Sequence, residues 1–418
     1  MAVALEEAPT SSLDRAAAEV LARQADGPYY LLDLDRIRAN HAALMGALQD
    51  CYPGTEFAYS VKTNYTPRIL ALVLELGGTA EVVSEMEYRI ARRVGFPAER
   101  IMVNGPLHAE AFLRELLAEG VRINLDGWYT LAAVERFLQD HPARRVRVGL
   151  RLNTPLPGVA WSRFGFATDE ASMQALAGWF REHPDCELAG LHGHCPLAPA
   201  TVEAYRARID ALIGAARKWF PHTPLSYLDV GGGFRKPPEG PPFPELAQTL
   251  ADAVEVAFPA GAPPSLVVEP GTAIVADAID FVCRVHDVKQ VGGRTLALID
   301  GSVHDVNTMM WRSEFDVRVL RGDEAEEASG PARFDVAGNT CMERKDIVCQ
   351  DVPGPVRPGD MLLFKGVGSY SNTLKPPFIH PCPAVIAQEG GDYAVVKRRE
   401  AVDDILATYT SERVEPPR

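Results

Sequence analysis

Lys62 follows the alternating apolar residues Phe57, Tyr59 and Val61 and is followed by Thr63-Asn64. The period of two predicts a strand and Pro67 predicts a helix start, so Lys62 stands where a strand ends and a crossover helix begins. An amine held at such a point can condense with a carbonyl group, although a lysine there can equally be solvated. Three other stretches carry groups that would complement it. Asp229-Val230-Gly231-Gly232-Gly233-Phe234 sets three glycines directly after an apolar segment, which allows positive φ and turns N–H groups toward an anion. This reads as a phosphate cradle, or else as a tight turn before Lys236-Pro237-Pro238. His192-Gly193-His194 invites a metal, but alternate residues of a strand face opposite ways, so only one ring should join a given site and no metal is expected. One inward histidine would stack on a planar group or serve as a hydrogen-bonded core residue. Glu269 ends the apolar run Leu266-Val267-Val268, where a carboxylate needs a cationic or protonated partner.

These residues require elements that bring strand ends together. From Phe57 to about Ala276, apolar strands, polar turns and amphipathic helices alternate without a break. The predicted strands are 57–61, 80–83, 100–103, 122–125, 146–152, 188–194, 225–230 and 265–268, with helices such as 109–119 and 202–219 between them. Eight strand–helix units predict an α/β fold, a (β/α)8 TIM-like barrel, with a doubly wound open sheet as the alternative. A barrel gathers Lys62, Arg151, Asn153, His192, His194, the glycine run and Glu269-Pro270-Gly271 at one face. Upstream, a helix over 12–24 with Ser12 as N-cap, a strand over 28–33 and a helix over 34–48 are expected. Downstream, strands at 294–299, 315–320, 361–364 and 393–397 among Gly, Pro and acidic turns predict a second β-rich domain. Residues 322–327 read as a solvated hairpin loop and 414–418 as a frayed tail. The domain reading is therefore residues 1–50 contributing to the β-domain, 51–277 as the barrel and 278–418 as the β-domain.

The chain has 418 residues and a net charge of −14, which disfavours a nucleic-acid groove or an acidic membrane surface as partner. Its seven cysteines form no CxxC pair, and its first residues lack the apolar core of a signal peptide. A cytoplasmic protein is expected.

A lysine amine, a phosphate cradle, a stacking histidine and a carboxylate for a pyridinium nitrogen together fit pyridoxal phosphate. The chain resembles the ornithine/diaminopimelate decarboxylase family, the alanine-racemase-like fold type of pyridoxal-phosphate enzymes. The resemblance rests on Tyr59-Ser60-Val61-Lys62-Thr63-Asn64, Glu81-Val82-Val83-Ser84, Ser162-Arg163-Phe164-Gly165, Leu191-His192-Gly193-His194, the glycine run, Glu269-Pro270-Gly271, Gly338-Asn339-Thr340-Cys341 and Gly368-Ser369-Tyr370-Ser371, in that order. It implies that Lys62 carries the cofactor as a Schiff base and that His194 stacks on its ring. It implies further that Gly231, Gly232, Gly233, Gly271 and Tyr370 hold the phosphate, and that Glu269 pairs with the ring nitrogen. Arg151 is counted with the cofactor contacts. Cys341 would reprotonate Cα from a neighbouring subunit, which implies a homodimer with shared active sites.

Four departures from the family pattern stand out. Cys195-Pro196-Leu197 replaces the residues that bring a phosphate-binding serine, and Thr272 replaces an arginine after Glu-Pro-Gly. Trp311-Arg312 stands where the ornithine decarboxylases carry an aromatic–aspartate pair, and Met342 follows Cys341 where an acid is usual. A guanidinium pairs with carboxylate and repels ammonium, so Arg312, with Glu343 nearby, points to an amino acid bearing a distal carboxylate. Lys375-Pro376-Pro377-Phe378-Ile379 is similar to specialised siderophore and antibiotic branches that act on conjugated or carrier-bound amino acids. The expected activity is α-decarboxylation. A racemase would need an acid–base residue on each cofactor face, and a silent regulatory homologue would not need Lys62, Cys341 and Glu269 together.

Overall fold

Eight strands pair in parallel: β1 (Thr55–Ser60), β2 (Thr79–Val82), β3 (Ile101–Val103), β4 (Arg122–Leu125), β5 (Val146–Asn153), β6 (Cys186–His192), β7 (Tyr227–Asp229) and β8 (Ser265–Val268). Their order is β4-β3-β2-β1-β8-β7-β6-β5, and β4 pairs with β5 to close the ring. This is the (β/α)8 barrel, and the open doubly wound sheet is excluded by that closure. The computed structural model describes residues 13–156, 158–159, 161–258, 263–310, 314–320 and 331–411. They form two compact units, one running from Arg38 to Val275 and the other combining residues up to Ile37 with those from Ala276 onward.

The barrel helices start and stop where their caps dictate. Ser84 accepts the Glu87 N–H at the start of helix Glu85–Val94, and Gly95 at φ 115° ends it. Thr201 caps helix Val202–Trp219 in the same way. The barrel interior holds Ala58, Met102, Ala189, Tyr227 and Val267. Tyr227 fits only because Gly190 and Gly149 face it: a Cβ on Gly190 would meet the Tyr227 ring at 2.4 Å, and one on Gly149 its hydroxyl at 2.1 Å. The hydroxyl donates to Asn124 Oδ1 at 2.6 Å, which begins a polar chain running up to the strand ends.

In the other unit, strand Tyr29–Asp33 pairs antiparallel with the long strand Ile279–Val291 and parallel with Ala384–Glu389. Helix Arg15–Ala25 is capped by Asp14, whose side chain accepts the Ala17 N–H. Ser12, the cap expected from the sequence, lies outside the described residues, as do 322–327 and 414–418. The helix buries Ala18, Leu21 and Ala25 against Tyr29, Val282, Leu363 and Ile386. Strand 317–320 begins later than expected, and Ile279–Val291, Arg333–Ala337, Ile347–Pro353 and Ala384–Glu389 complete the unit.

A buried ion pair fixes one turn here. Lys375 Nζ lies 3.4 Å from Asp305 Oδ1, with both side chains at most 5% exposed. Asp305 Oδ2 also accepts the Ser302 N–H at 2.7 Å and hydroxyl at 2.9 Å. Removing one partner strands the other charge, so Asp305→Ala should cost about 3–5 kcal/mol. The double variant Asp305→Ala/Lys375→Met should recover part of that loss, read by denaturant unfolding.

Candidate active site

Lys62 sits just past β1 in a single 3-10 turn, Val61–Thr63, rather than on the strand itself. Its Nζ lies 2.6 Å from Ser60 Oγ and 2.6 Å from Glu81 Oε2 on β2. The lysine side chain is 32% exposed and Glu81 is 1% exposed, so a buried carboxylate holds a reachable amine. Ser60 Oγ donates to the same Glu81 oxygen at 2.7 Å.

Glu81 continues the polar chain. Asn104, one residue past β3, donates through Nδ2 to Glu81 Oε1 at 2.9 Å and to Glu269 Oε1 at 2.6 Å. Asn124 on β4 donates to Asn104 Oδ1 at 2.8 Å. Tyr227, Asn124, Asn104 and the two glutamates thus tie β7, β4, β3, β2 and β8 together inside the barrel, and Lys62 terminates one branch.

Glu269 is the charged group of a crowded pocket. Burial favours its protonation, but His192 and the Lys62 ammonium outweigh burial and hold its carboxyl well below the usual range. The nearby Asp229 goes the other way: burial and the Glu269 charge push it well above the ordinary value, against the Gly231 N–H. Two adjacent buried carboxylates do not both ionise, so Asp229 takes the proton and Glu269 the charge. His192, Asp229 and Glu269 each bring a donor atom within 4.8 Å of the others. A protonated Asp229 is a poor metal ligand.

The two histidines behave differently from the strand-based expectation. β6 ends at His192, so the alternation that would separate the rings stops before His194. His192 is fully buried with Nε2 3.6 Å from Glu269 Oε1, too long for a hydrogen bond, and neither ring nitrogen has a partner. His194 lies in the following loop and accepts the Gly232 N–H at Nδ1, 3.1 Å. Burial, helped by Arg208, Lys62 and Arg151 and opposed by Glu269, keeps its imidazole neutral, well below the ordinary histidine range. Both rings therefore lie near Glu269.

The glycine run is required by close approach. A Cβ on Gly231, at φ 65°, would meet His194 Cβ at 2.5 Å, and one on Gly232 would meet the Glu269 carbonyl at 2.6 Å. The Gly231 N–H goes to Asp229 Oδ1 at 2.8 Å. Gly271 abuts the lysine turn, where a Cβ would fall 2.0 Å from Thr63 Oγ1. Arg151 is buried, donating to Asp126 Oδ2 at 3.3 Å and to the His194 carbonyl at 3.2 Å, with its guanidinium over Phe164. Asp126 in turn accepts the Gly165 N–H, which anchors the Ser162-Arg163-Phe164-Gly165 turn.

Cys341, Glu343 and Tyr370 belong to the other unit, and Arg312 lies outside the described residues. Cys341 is an exposed free thiol on a short turn. Asp346 fixes that turn: its Oδ2 accepts the Thr340 N–H at 2.8 Å and hydroxyl at 2.5 Å, while Oδ1 accepts the Val303 N–H at 2.8 Å. Glu343 is exposed beside it. Tyr370 holds φ 59°, a left-handed conformation that is costly for a bulky residue. The sequence pattern alone assigns no role to Glu81, Asn104, Asp229 or Asp346. The available signal was a carboxylate inside an apolar strand, as in Ala80-Glu81-Val82 and Leu228-Asp229-Val230.

A closed α/β barrel with an amine, a buried carboxylate and a glycine loop at its strand ends defines a class of barrel enzymes built around a lysine. Residues 34–276 match the family described as pyridoxal-dependent decarboxylase, pyridoxal binding domain, and the chain belongs to that family. It is 30% identical to a diaminopimelate decarboxylase of Actinosynnema pretiosum subsp. auranticum, over 92% of this chain and 89% of the relative. It is 25% identical to the L-glutamyl-[BtrI acyl-carrier protein] decarboxylase of Niallia circulans, over 95% and 97% of the two chains. Among solved structures, the diaminopimelate decarboxylase of M. jannaschii in co-complex with L-lysine shares the fold, with TM-score 0.85 at 20% identity over 95% and 94% of the two chains. The chain is a pyridoxal-phosphate-dependent amino-acid decarboxylase. Its site fits that cofactor, since a reachable amine, a charged buried carboxylate, a neutral imidazole and a loop with no room for a Cβ at Gly231 or Gly232 lie together. No helix among the described residues is long and apolar enough to cross a membrane.

Proposed function

We propose that the substrate is an amino acid whose distal end carries a carboxylate or a carboxylate-derived conjugate, as in the specialised biosynthetic branches of the family. The observation that carries this reading is Arg312 at the position where the ornithine decarboxylases place an aspartate. Similarity over nearly the whole chain to a decarboxylase of a carrier-bound glutamyl group supports it.

Each residue then has a task. Lys62 anchors the cofactor, and Glu81 Oε2, 2.6 Å away, is placed to take the proton its ammonium must lose before the nitrogen becomes nucleophilic. Ser60 and Asn104 keep Glu81 in place for this. Glu269 holds a proton-bearing ring nitrogen by its charge, and the neutral His194 stacks on the ring without repelling it. When bound, pyridoxal phosphate supplies the electron sink for the bond to the departing carboxylate. Gly231, Gly232, Gly233, Gly271 and Tyr370 are assigned to the phosphate, and Arg151 supports His194 from behind. The exposed Cys341 thiol delivers the proton that replaces the carboxylate, with Asp346 fixing its turn and Glu343 near the substrate. Following the family resemblance, the thiol serves a neighbouring subunit, so a homodimer is the working assembly. A cytoplasmic setting suits the seven cysteines, none of them paired.

The test is a panel of diaminopimelate, basic amino acids, glutamate and carboxylated or carrier-bound conjugates, read by CO2 release. Carboxylate-bearing substrates should lead, and Arg312→Asp should raise their KM by about tenfold or more, a loss of about 1.4 kcal/mol of binding. Turnover confined to the basic amino acids, or an unchanged KM, would refute the charge assignment. Inversion of the α-carbon without CO2 would mark a racemase instead.

A further inference from the structure

Helix Val202–Trp219 carries Arg208 into the protein, where it is only 2% exposed. Its Nη1 donates to the Val230 carbonyl at 2.6 Å and to the Gly232 carbonyl at 3.2 Å. Its planar group lies over the Tyr205 ring, and its stem packs against Gly193, where a Cβ would meet Arg208 Cγ at 3.4 Å. Nε is buried without a partner. No carboxylate among the described residues hydrogen-bonds to it; the charged Glu269 acts on it only at longer range. A buried guanidinium without a paired anion is costly, and carbonyl dipoles offset only part of that cost.

The loop that Arg208 grips has an open side. In a trans peptide the C=O and the following N–H point in opposite directions. The Gly232 carbonyl is held by Arg208 and by the Tyr205 hydroxyl at 3.3 Å, so the Gly233 N–H is turned away from the guanidinium. The N–H groups of Gly231 and Gly232 are already taken by Asp229 and His194. Gly233, exposed and at φ 94°, remains to present its donor outward.

We propose that Arg208 is the buried counter-charge of the cofactor phosphate, acting from behind the glycine loop through the Gly232–Gly233 peptide. The guanidinium locks and polarises that peptide, and its uncompensated charge favours a dianion on the open side. Arg208 is thus a positioning residue for the phosphate and touches no reacting atom. The inference rests on the pyridoxal-phosphate reading of the site.

The experiment compares binding of pyridoxal phosphate and of phosphate-free pyridoxal to apoprotein by fluorescence quenching, for wild type, Arg208→Gln and Arg208→Lys. Glutamine keeps a donor for the carbonyls and loses the charge, so the preference for the phosphorylated ligand should fall by about tenfold or more, about 1.4 kcal/mol. Pyridoxal affinity should change by less than about threefold in the same variant, and lysine should retain the preference within about threefold. Equal weakening of both ligands would assign Arg208 a purely structural role and overturn the inference, as would an unchanged preference in Arg208→Gln. Should the glutamine variant fail to fold, the lysine variant decides, because loss of the preference with charge retained would overturn it. A wild type that takes up no pyridoxal phosphate would overturn the cofactor reading and this inference together; normal uptake with an indifferent glutamine variant overturns this inference alone.

Discussion

Lys62→Ala is expected to abolish decarboxylation, with kcat down by on the order of a thousandfold or more, and to leave the cofactor removable by dialysis. The amine is reachable, 32% exposed, yet held at 2.6 Å by both Ser60 Oγ and Glu81 Oε2, so its position is set before any ligand arrives. Alanine removes the nucleophile and leaves Glu81 without its cation. The carboxylate keeps hydrogen bonds from Ser60 at 2.7 Å and Asn104 at 2.9 Å, so the barrel should still fold. Lys62→Arg separates the two consequences. Its guanidinium keeps the ion pair with Glu81 but cannot condense with a carbonyl at neutral pH, so it should be as stable as wild type and as inactive as alanine. Measured CO2 release and thermal unfolding on all three proteins check this. An alanine variant that retained activity would remove Lys62 from the chemistry.

The barrel was legible because each of its strands is short, apolar and bounded by turn residues, and the following helices carry the longer period. Strand boundaries moved by at most two residues, and one shift had a chemical consequence. With β6 ending at His192 instead of His194, strict alternation no longer separates the rings, and both lie near Glu269. In the β-rich unit the strand Ile279–Val291 was not legible as one element, because its first residues are buried and its last are mostly exposed charged and polar residues, so neither period persists. Ala384–Glu389 is a short run whose first four residues are continuously buried, a pattern that periodicity alone does not assign to a strand. Lys62 and Glu269 could be found because each places a charge at the end of an apolar strand. Asn104, Asn124 and Tyr227 could not, since their partners are 20 to 165 residues away in sequence and only barrel closure makes them neighbours. Arg208 is hidden for a related reason. In sequence it resembles Arg206, which is exposed and paired with Asp210, and only packing distinguishes a buried guanidinium from a solvated one.

The two buried carboxylates at the ends of β7 and β8 should respond in opposite ways to neutralisation. Glu269→Gln is expected to lower kcat/KM by about 10²–10³-fold, the size of loss typical when one preorganised electrostatic partner is removed. The amide has nearly the same shape and its oxygen can still accept from Asn104 Nδ2, now 2.6 Å from the glutamate, so packing is preserved while the charge is lost. Without that charge nothing on β8 favours a protonated ring nitrogen. Asp229→Asn should be mild, within about tenfold, because burial and the Glu269 charge already keep Asp229 protonated and an amide replaces one neutral group by another. Its oxygen remains to accept the Gly231 N–H, at present 2.8 Å away, so the glycine loop keeps its anchor. The assignment of proton and charge follows from position. His192 and the Lys62 ammonium act on Glu269 strongly enough to outweigh its burial, whereas Asp229 has a backbone N–H and a negative neighbour. Steady-state kinetics on the two variants distinguish the carboxylates directly. A severe Asp229→Asn defect beside a mild Glu269→Gln one would mean that the proton and the charge sit the other way round, and that the ring nitrogen is governed from β7.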